Sequence, residues 1–520
     1  MKSDNKYYSV RPIFNDNLPQ LYIESYGCQM NMNDSEVVLS LLQKAGYSLT
    51  TDIHKADVIL VNTCSIRENA EQRIFGRLDL FYQEKKKRAV IVGVLGCMAE
   101  RLKDELLKNQ AVDLVAGPDT YRTLPTLLDE LRASYGLSKQ INVQLSREET
   151  YDDISPVRLD ENGVSGFISI MRGCNNMCSY CVVPYTRGAE RSRDPHSIVR
   201  EAKELFSNGY KEVTLLGQNV DSYNWINPEN TSETVNFSQL LELVALIDPS
   251  LRVRFSTSHP KDMGRGVLYT MAMYPNICNH IHLPVQSGSD AMLLKMNRKY
   301  TREIYLQKIA NIREILPDCA ISTDIIAGFC GETEEDHKMT LSLMEEVGYD
   351  SAFMFQYSQR PNTKAARHFA DDVPLEVKTR RLNEIIGLQN KLSLASNQRT
   401  LGKTFEVLIE GRSKRSAEQL IGRTPQNKVC VFDGGEHKVG EYVTVKVKSC
   451  TSATLIAEIV EPAAPTSLRD EIKELTSDIR DLRKNVSKNV KEAHKEIKED
   501  IKKDIKNIKD DIKNTFNMGV

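Results

Sequence analysis

The segment RGCNNMCSYCVVPYTRG sets Cys174, Cys178 and Cys181 in a CxxxCxxC spacing. Three thiolates this close can hold three irons of a [4Fe–4S] cluster and leave the fourth iron without a protein ligand. An iron with an open position can take a cofactor, so the spacing points to chemistry. Zinc is the alternative on spacing alone. It wants four protein ligands, and His196 is the nearest candidate for a fourth. The triad follows the run GFISIMRG, which reads as the first strand of an alternating strand–helix series, and that placement disfavours zinc.

A second set of thiols is scattered in sequence. Cys28, Cys64 and Cys97 each close an apolar run, LYIESYGC, ADVILVNTC and AVIVGVLGC. In an open α/β sheet, ligands bind at the carboxyl ends of the strands, so three strand-end cysteines converge in space. The bland reading is three core thiols, which are common, but all three fall after a strand and none within one. Cys278, Cys319, Cys330, Cys430 and Cys450 are expected to be core or incidental thiols. Eleven cysteines is an odd number, and MKSDNKYYSV lacks the apolar core of a secretion signal. A disulfide framework is therefore a poor reading, and a cytoplasmic location is expected.

Four segments position these residues. The first, about 18–145, alternates near-continuous apolar strands with helices, as a buried parallel sheet does. NDSEVVLSLLQKAG follows Cys28 as a helix, with Asn33 or Asp34 as its expected cap. The second, about 160–395, holds six strand–helix units and implies a partial (β/α)6 barrel with its site at the carboxyl rim. Strand-end position nominates Gly217, Gln218, Asn219, Ser258, Gln286 and Asp324 as contacts for a polar cofactor, a structural role being the alternative for each. The third, about 398–461, is a run of short strands and predicts a small all-β barrel, locally basic at Arg412, Lys414, Arg415, Arg423 and Lys428. RNA is the partner this favours, with a structural cap or protein contact as alternatives. After EPAAP, residues 466–520 read as one long amphipathic helix. Its apolar positions recur about every 3.7 residues, closer to an eleven-residue repeat than to a heptad.

The 520 residues carry a formal net charge of -2, with 40% hydrophobic and 27% charged residues. A polyanion therefore has to be held by a local patch, because there is no global basic field. No run of about 18 apolar residues is present, so no membrane span is expected. Arg172, Arg187, Arg191 and Arg193 flank the CxxxCxxC triad, and as a group they are expected to meet phosphates or a cofactor carboxylate. KKKR at 85–88 reads as a solvated helix end.

With Tyr180 before its last cysteine, the CxxxCxxC motif resembles the radical S-adenosylmethionine superfamily. SYGCQMN, NTCSIRENAEQR and LGCMAER, joined to RGCNNMCSYCVVPYTRGAERSR, narrow the resemblance to the methylthiotransferase family. LLGQNVDSY, STSHPKD, HLPVQSGSDAMLLKMNRKYT and TDIIAGF extend it, and it covers roughly residues 18–461, including a terminal barrel that resembles a TRAM domain. The resemblance implies two [4Fe–4S] clusters. One lies on Cys174, Cys178 and Cys181, with S-adenosyl-L-methionine on its open iron and Tyr180 near the adenine through its backbone. The other lies on Cys28, Cys64 and Cys97, the three residues that strand-end position had already singled out, with a sulfur species on its open iron. It further implies that one S-adenosylmethionine methylates this sulfur and a second supplies the radical that removes hydrogen from C2 of an adenine. QMN after Cys28 and SIRENAEQ after Cys64 favour the branch acting on N6-isopentenyladenosine beside the tRNA anticodon. The implied partners are that anticodon stem-loop, a flavodoxin- or ferredoxin-like electron donor, and a sulfur donor the sequence does not identify. Rival readings are methylthiolation of a ribosomal-protein aspartate or of threonylcarbamoyladenosine, and a non-enzymatic iron–sulfur RNA-binding sensor. Two positions depart from the family pattern: Cys330 stands where proline is usual, and Asn362 where glycine is usual.

Overall fold

The structure is a computed structural model that describes residues 15, 17–65, 68–134, 138–159, 162–414, 416 and 418–461, with the backbone alone for 68–72. The expected helix over 466–520 and Arg415 lie outside the described residues.

The strand periodicity of the first segment builds a six-stranded, all-parallel sheet. Its order is Ser48–Leu49, Gln20–Tyr26, Val58–Thr63, Ile91–Gly96, Leu114–Ala116, Gln140–Asn142. Along Val58–Thr63, Val58 and Leu60 face one apolar layer, with Val38 and Leu42 of helix Gln29–Lys44. Ile59 and Val61 face the other, with Ile74, Leu78 and Phe81 of helix Glu68–Lys87. A strand covered on both faces can be apolar at every position, which is why these runs show no alternation.

The six strands of the second segment stand in chain order as two three-stranded parallel sheets. Ser165–Ser169, Glu212–Leu216 and Arg252–Ser256 form one, and His280–His282, Ala320–Ala327 and Ser351–Gln356 the other. A parallel bridge between Val253 and Ile277 links them. Among the described residues the first and last strands do not pair, so the barrel is partial. The fourth strand is shorter than IHLPVQSGS suggests, because Pro284 lacks the N–H a ladder needs. Val285 N–H is instead taken by the Thr323 hydroxyl at 3.0 Å, and pairing resumes at Gln286.

Residues from Thr404 to Ile459 close a five-stranded barrel. Arg252 and Arg254 from the third barrel strand donate to the Arg423 and Thr424 carbonyls at 2.8 and 2.9 Å. Tyr442 reaches the Lys211 carbonyl at 3.0 Å. Two residues of the expected basic face, Lys428 and Arg423, are paired within the protein. Lys428 bonds Asp350, Ser396 and Asn397 at 2.9, 2.7 and 2.9 Å, and Arg423 pairs with Glu410 at 3.2 Å. No helix among the described residues is long and apolar enough to cross a membrane.

Candidate active site: two thiol triads on either side of one helical turn

Each member of the first triad sits where its strand stops. Cys28 caps helix Gln29–Lys44, Cys64 follows strand Val58–Thr63, and Cys97 opens helix Cys97–Leu102. The expected cap at Asn33 or Asp34 is not used. The helix begins five residues earlier, and Asn33, Asp34 and Glu36 are buried on its inner face, where partners across the interface satisfy them. Close approach of the strand ends depends on glycine. Gly27 has φ +132°, and a Cβ there would lie 2.3 Å from the Cys64 Cβ. Behind the thiols, Asn31 and Asn62 exchange bonds at 3.1 Å. The Cys28 thiol is drawn down to about 6, chiefly by its hydrogen bond with Cys64 and further by Arg187, against the opposing effect of burial. Burial pushes the Cys97 thiol up, and Arg187 counters it.

The second triad lies on a loop clasped from two sides. Cys174 N–H donates to the Gly188 carbonyl at 3.2 Å, and Gly173, at φ +78°, has no room for a Cβ beside the Ala189 carbonyl. On the far side, Ser179 bonds the Lys295 and Met296 carbonyls at 2.8 and 3.0 Å, and Asn297 reaches the Met177 carbonyl at 2.9 Å. Cys178 Sγ accepts from Arg298 Nη1 at 3.3 Å. Burial raises Cys174 to about 11 and Cys181 to about 12, so both are thiols until a metal displaces their protons. One helical turn connects the triads. Val183–Thr186 starts two residues after Cys181 and packs against helix Cys97–Leu102, with Thr186 beside Cys97.

Among the described residues no three His, Cys, Asp or Glu side chains gather tightly enough to hold a single metal ion. A cube spreads its ligands over separate irons, so its thiolates stand further apart than those around one ion. His196, the candidate fourth zinc ligand, lies edge-on to Trp225 at 6.3 Å. Both donor sets are thiols alone, the soft ligand that iron–sulfur clusters take.

The barrel rim offers polar atoms that nothing in the protein satisfies. Gln218 Oε1, Asn219 Oδ1 and His259 Nε2 are buried without partners. Asn219 Nδ2 is anchored to Asp262 at 2.7 Å. His259 Nδ1 accepts from Lys261 N–H at 3.2 Å, which leaves the ring proton on the unpartnered Nε2. Burial, with Arg298 and Lys261 nearby, takes its pKa down to about 2, so the ring is neutral. Gly217 packs so closely on Met171 that a Cβ would sit 2.6 Å from its Cγ. Ser258 is 3% exposed. Asp324 lies 3.4 Å from His282, and its carbonyl accepts from Gln286 N–H at 2.8 Å. Thr257 and Gln286 hold φ +74° and +72°, and for a β-branched threonine that is strain of the kind functional sites store. The Tyr180 ring is spent on packing, edge-on to Phe329 at 6.3 Å.

Comparison with known proteins agrees with this architecture. Residues 20–117 match Uncharacterized protein family UPF0004, residues 168–344 the Radical SAM superfamily, and residues 398–460 the TRAM domain. A tRNA-2-methylthio-N(6)-dimethylallyladenosine synthase of Bacteroides thetaiotaomicron is 59% identical over 446 residues, 86% of this chain and 97% of the relative. One from Porphyromonas gingivalis is 57% identical over 452 residues, covering 86% and 96%. This chain belongs to the tRNA-2-methylthio-N(6)-dimethylallyladenosine synthase family. Among solved structures, the radical S-adenosylmethionine methyltransferase TsrM of Kitasatospora setae shares the fold, with TM-score 0.51 and 14% identity over 67% of this chain and 74% of that one.

In this family member the four arginines beside the barrel triad are not free for phosphate or cofactor. Arg172 and Arg187 both grip Asp34, at 2.8 and 2.7 Å. Arg191 holds Asp119 at 2.9 Å, and Arg193 holds Glu201. Arg158 spans Glu36 and Glu201 at 2.7 and 2.6 Å. The sequence signal for them was an N-D-S-E run too polar for a helix face that must be buried. KKKR is likewise used locally: Lys85 pairs with Asp113, Lys87 with Glu84, and Arg88 reaches the Ile53 carbonyl. Asp119, Arg298 and the strained Thr257 were not nominated from sequence, and Asp34 was nominated only as a helix cap, because each is explained by a partner far along the chain or by backbone strain. Asn362, the departure from glycine, adopts φ +68° as a glycine would. Cys330, the other departure, is a core thiol beside Phe329 and Met296.

Proposed function

We propose that this chain inserts a methylthio group at C2 of N6-isopentenyladenosine beside the tRNA anticodon, as the names of its relatives describe. The observation that carries the reading is the approach of two all-cysteine triads to one helical turn, Val183–Thr186. Cys174, Cys178 and Cys181 would hold one [4Fe–4S] cluster, and Cys28, Cys64 and Cys97 a second. Bound together with S-adenosylmethionine, these groups supply reductive radical generation and a site for the transferred sulfur. The chain's own residues do the rest. Gln218 Oε1 and Asn219 Oδ1 would offer acceptors to the cofactor's amino N–H groups, and His259 Nε2–H a donor to its carboxylate. Two of the six thiols, Cys64 and Cys97, are buried, which limits water at their triad. The target base has to be splayed from its loop to reach the rim. Arg412 and Lys414, exposed on the small barrel, are basic residues that can meet RNA. An external one-electron donor of the flavodoxin or ferredoxin type and a separate sulfur source complete the reaction.

Anaerobic reconstitution and incubation with tRNA bearing isopentenyladenosine test this. Nucleoside mass analysis should show the gain of one methylthio group. Cofactor cleavage with unchanged nucleosides would overturn the substrate, and no cleavage at all would favour the sensor reading. Cys64→Ala should retain cofactor cleavage and lose product, whereas Cys178→Ala should lose both.

A further inference from the structure

Nine arginines are buried among the described residues: 158, 172, 187, 191, 193, 252, 254, 298 and 381. Eight have a carboxylate within 4 Å. Arg298 alone has none. Its Nη2 donates to the Pro284 carbonyl at 2.7 Å and its Nε to the Tyr300 hydroxyl at 2.9 Å. Nη1 faces Cys178 Sγ at 3.3 Å and the Tyr180 hydroxyl at 3.4 Å. A buried cation without a counter-charge is costly. The sulfur of Cys178, a thiolate when it holds iron, would be the counter-charge within reach.

The placement is enforced. Asn297 and Lys299, on either side of Arg298, hold left-handed backbone at φ +59° and +65°, and Met177, which Asn297 grips, holds φ +49°. Three such residues where one turn meets the CxxxCxxC loop mark a built contact. Tyr300 donates in turn to the Val285 carbonyl at 2.9 Å, which ties the guanidinium to the end of the fourth barrel strand.

We propose that Arg298 is a positioning residue that sets the reduction potential of the barrel cluster, as counter-ion and N–H donor to the Cys178 sulfur. The inference rests on the assignment of Cys174, Cys178 and Cys181 to that cluster. Three thiolates on an iron–sulfur core are net anionic, and one added electron makes them more so. A fixed cation with an N–H aimed at sulfur stabilises the reduced form more than the oxidised one and raises the potential. The electron itself comes from an external one-electron reductant.

The test uses full-length protein carrying Cys28→Ala, Cys64→Ala and Cys97→Ala, reconstituted anaerobically so that one cluster remains. Its midpoint potential is read by electron paramagnetic resonance during a titration with chemical reductants. Arg298→Met should make reduction at least tenfold less favourable, a shift of about 59 mV for one electron. Arg298→Lys keeps the charge but loses the fork and should fall between. Both variants at the wild-type potential with full iron content would overturn the proposal. If Arg298→Met does not retain iron, Arg298→Lys decides, and an unshifted midpoint there overturns it equally. A triple variant that binds no iron while Arg298 is intact overturns the cluster assignment itself.

Discussion

Asp34 is fully buried and bridges two guanidiniums, Arg172 and Arg187, from the neighbouring barrel segment. Asp34→Asn keeps the shape and removes the charge, leaving Arg187 without a carboxylate and Arg172 with Asp119 alone, at 3.7 Å. A loss of about 3–5 kcal/mol is expected, read as a lower denaturant midpoint with unchanged far-UV dichroism. Asp221 behaves oppositely. Burial pushes its carboxyl up to about 7, with the nearby Ser258 hydroxyl and the bond from the His259 N–H partly countering. Its folded pKa lies above the unfolded one, so ionisation costs stability as pH rises from the unfolded value through about 7. Asp221→Asn should therefore gain stability over the parent at pH about 8 and show little difference at pH about 4. An equal difference at both values would show that the carboxyl is not perturbed. The six cysteines were legible at this scale because spacing and strand-end position are local properties. Arg298, Asp34 and Thr257 were not, because their meaning lies in contacts more than a hundred residues away or in backbone strain.

At the scale of elements, the barrel triad depends on how a loop is held. Gly173 allows the chain to pass the Ala189 carbonyl, where an added Cβ would come within 2.1 Å of the oxygen. The obstacle is backbone, so it cannot swing aside. Gly173→Ala should displace Cys174 and lower the iron retained after anaerobic reconstitution, with the fold intact by dichroism; full iron content would show that the loop tolerates the shift. The alternating elements were readable because buried parallel strands are continuous apolar runs, as Val58–Thr63 is. The start of helix Gln29–Lys44 was misread. A run of Asn, Asp, Ser and Glu resembles a cap, and only the partners Phe167, Arg172 and Arg158 show that it is an inner face.

At the scale of the whole molecule, the described fold ends with strand Leu455–Ile459, which pairs into the small barrel on both sides. The 446 residues shared with the Bacteroides thetaiotaomicron relative already span 97% of it. A chain truncated after Glu461 should therefore make methylthiolated product at the rate of the full chain. A large fall in rate with unchanged thermal stability would assign residues 462–520 a part in the reaction. The small barrel is bound to the larger one through Lys428, Arg252 and Arg254. Part of the basic character that suggested RNA contact is thus spent within the protein, which lowers the number of phosphates this module can neutralise.

What the sequence by itself determined was the inventory: two thiol triads, alternating strands, a small barrel, and the family to which they belong. These follow from residue type, spacing and periodicity, which are properties of the unfolded chain as much as of the folded one. Tertiary structure alone decided which charges are spent and which are left over. Among the described residues, eight of nine buried arginines pair with carboxylates, and the ninth lies against Cys178. Whether a guanidinium meets a carboxylate or a sulfur depends on which distant segments burial brings within a few ångströms, and no local pattern encodes that.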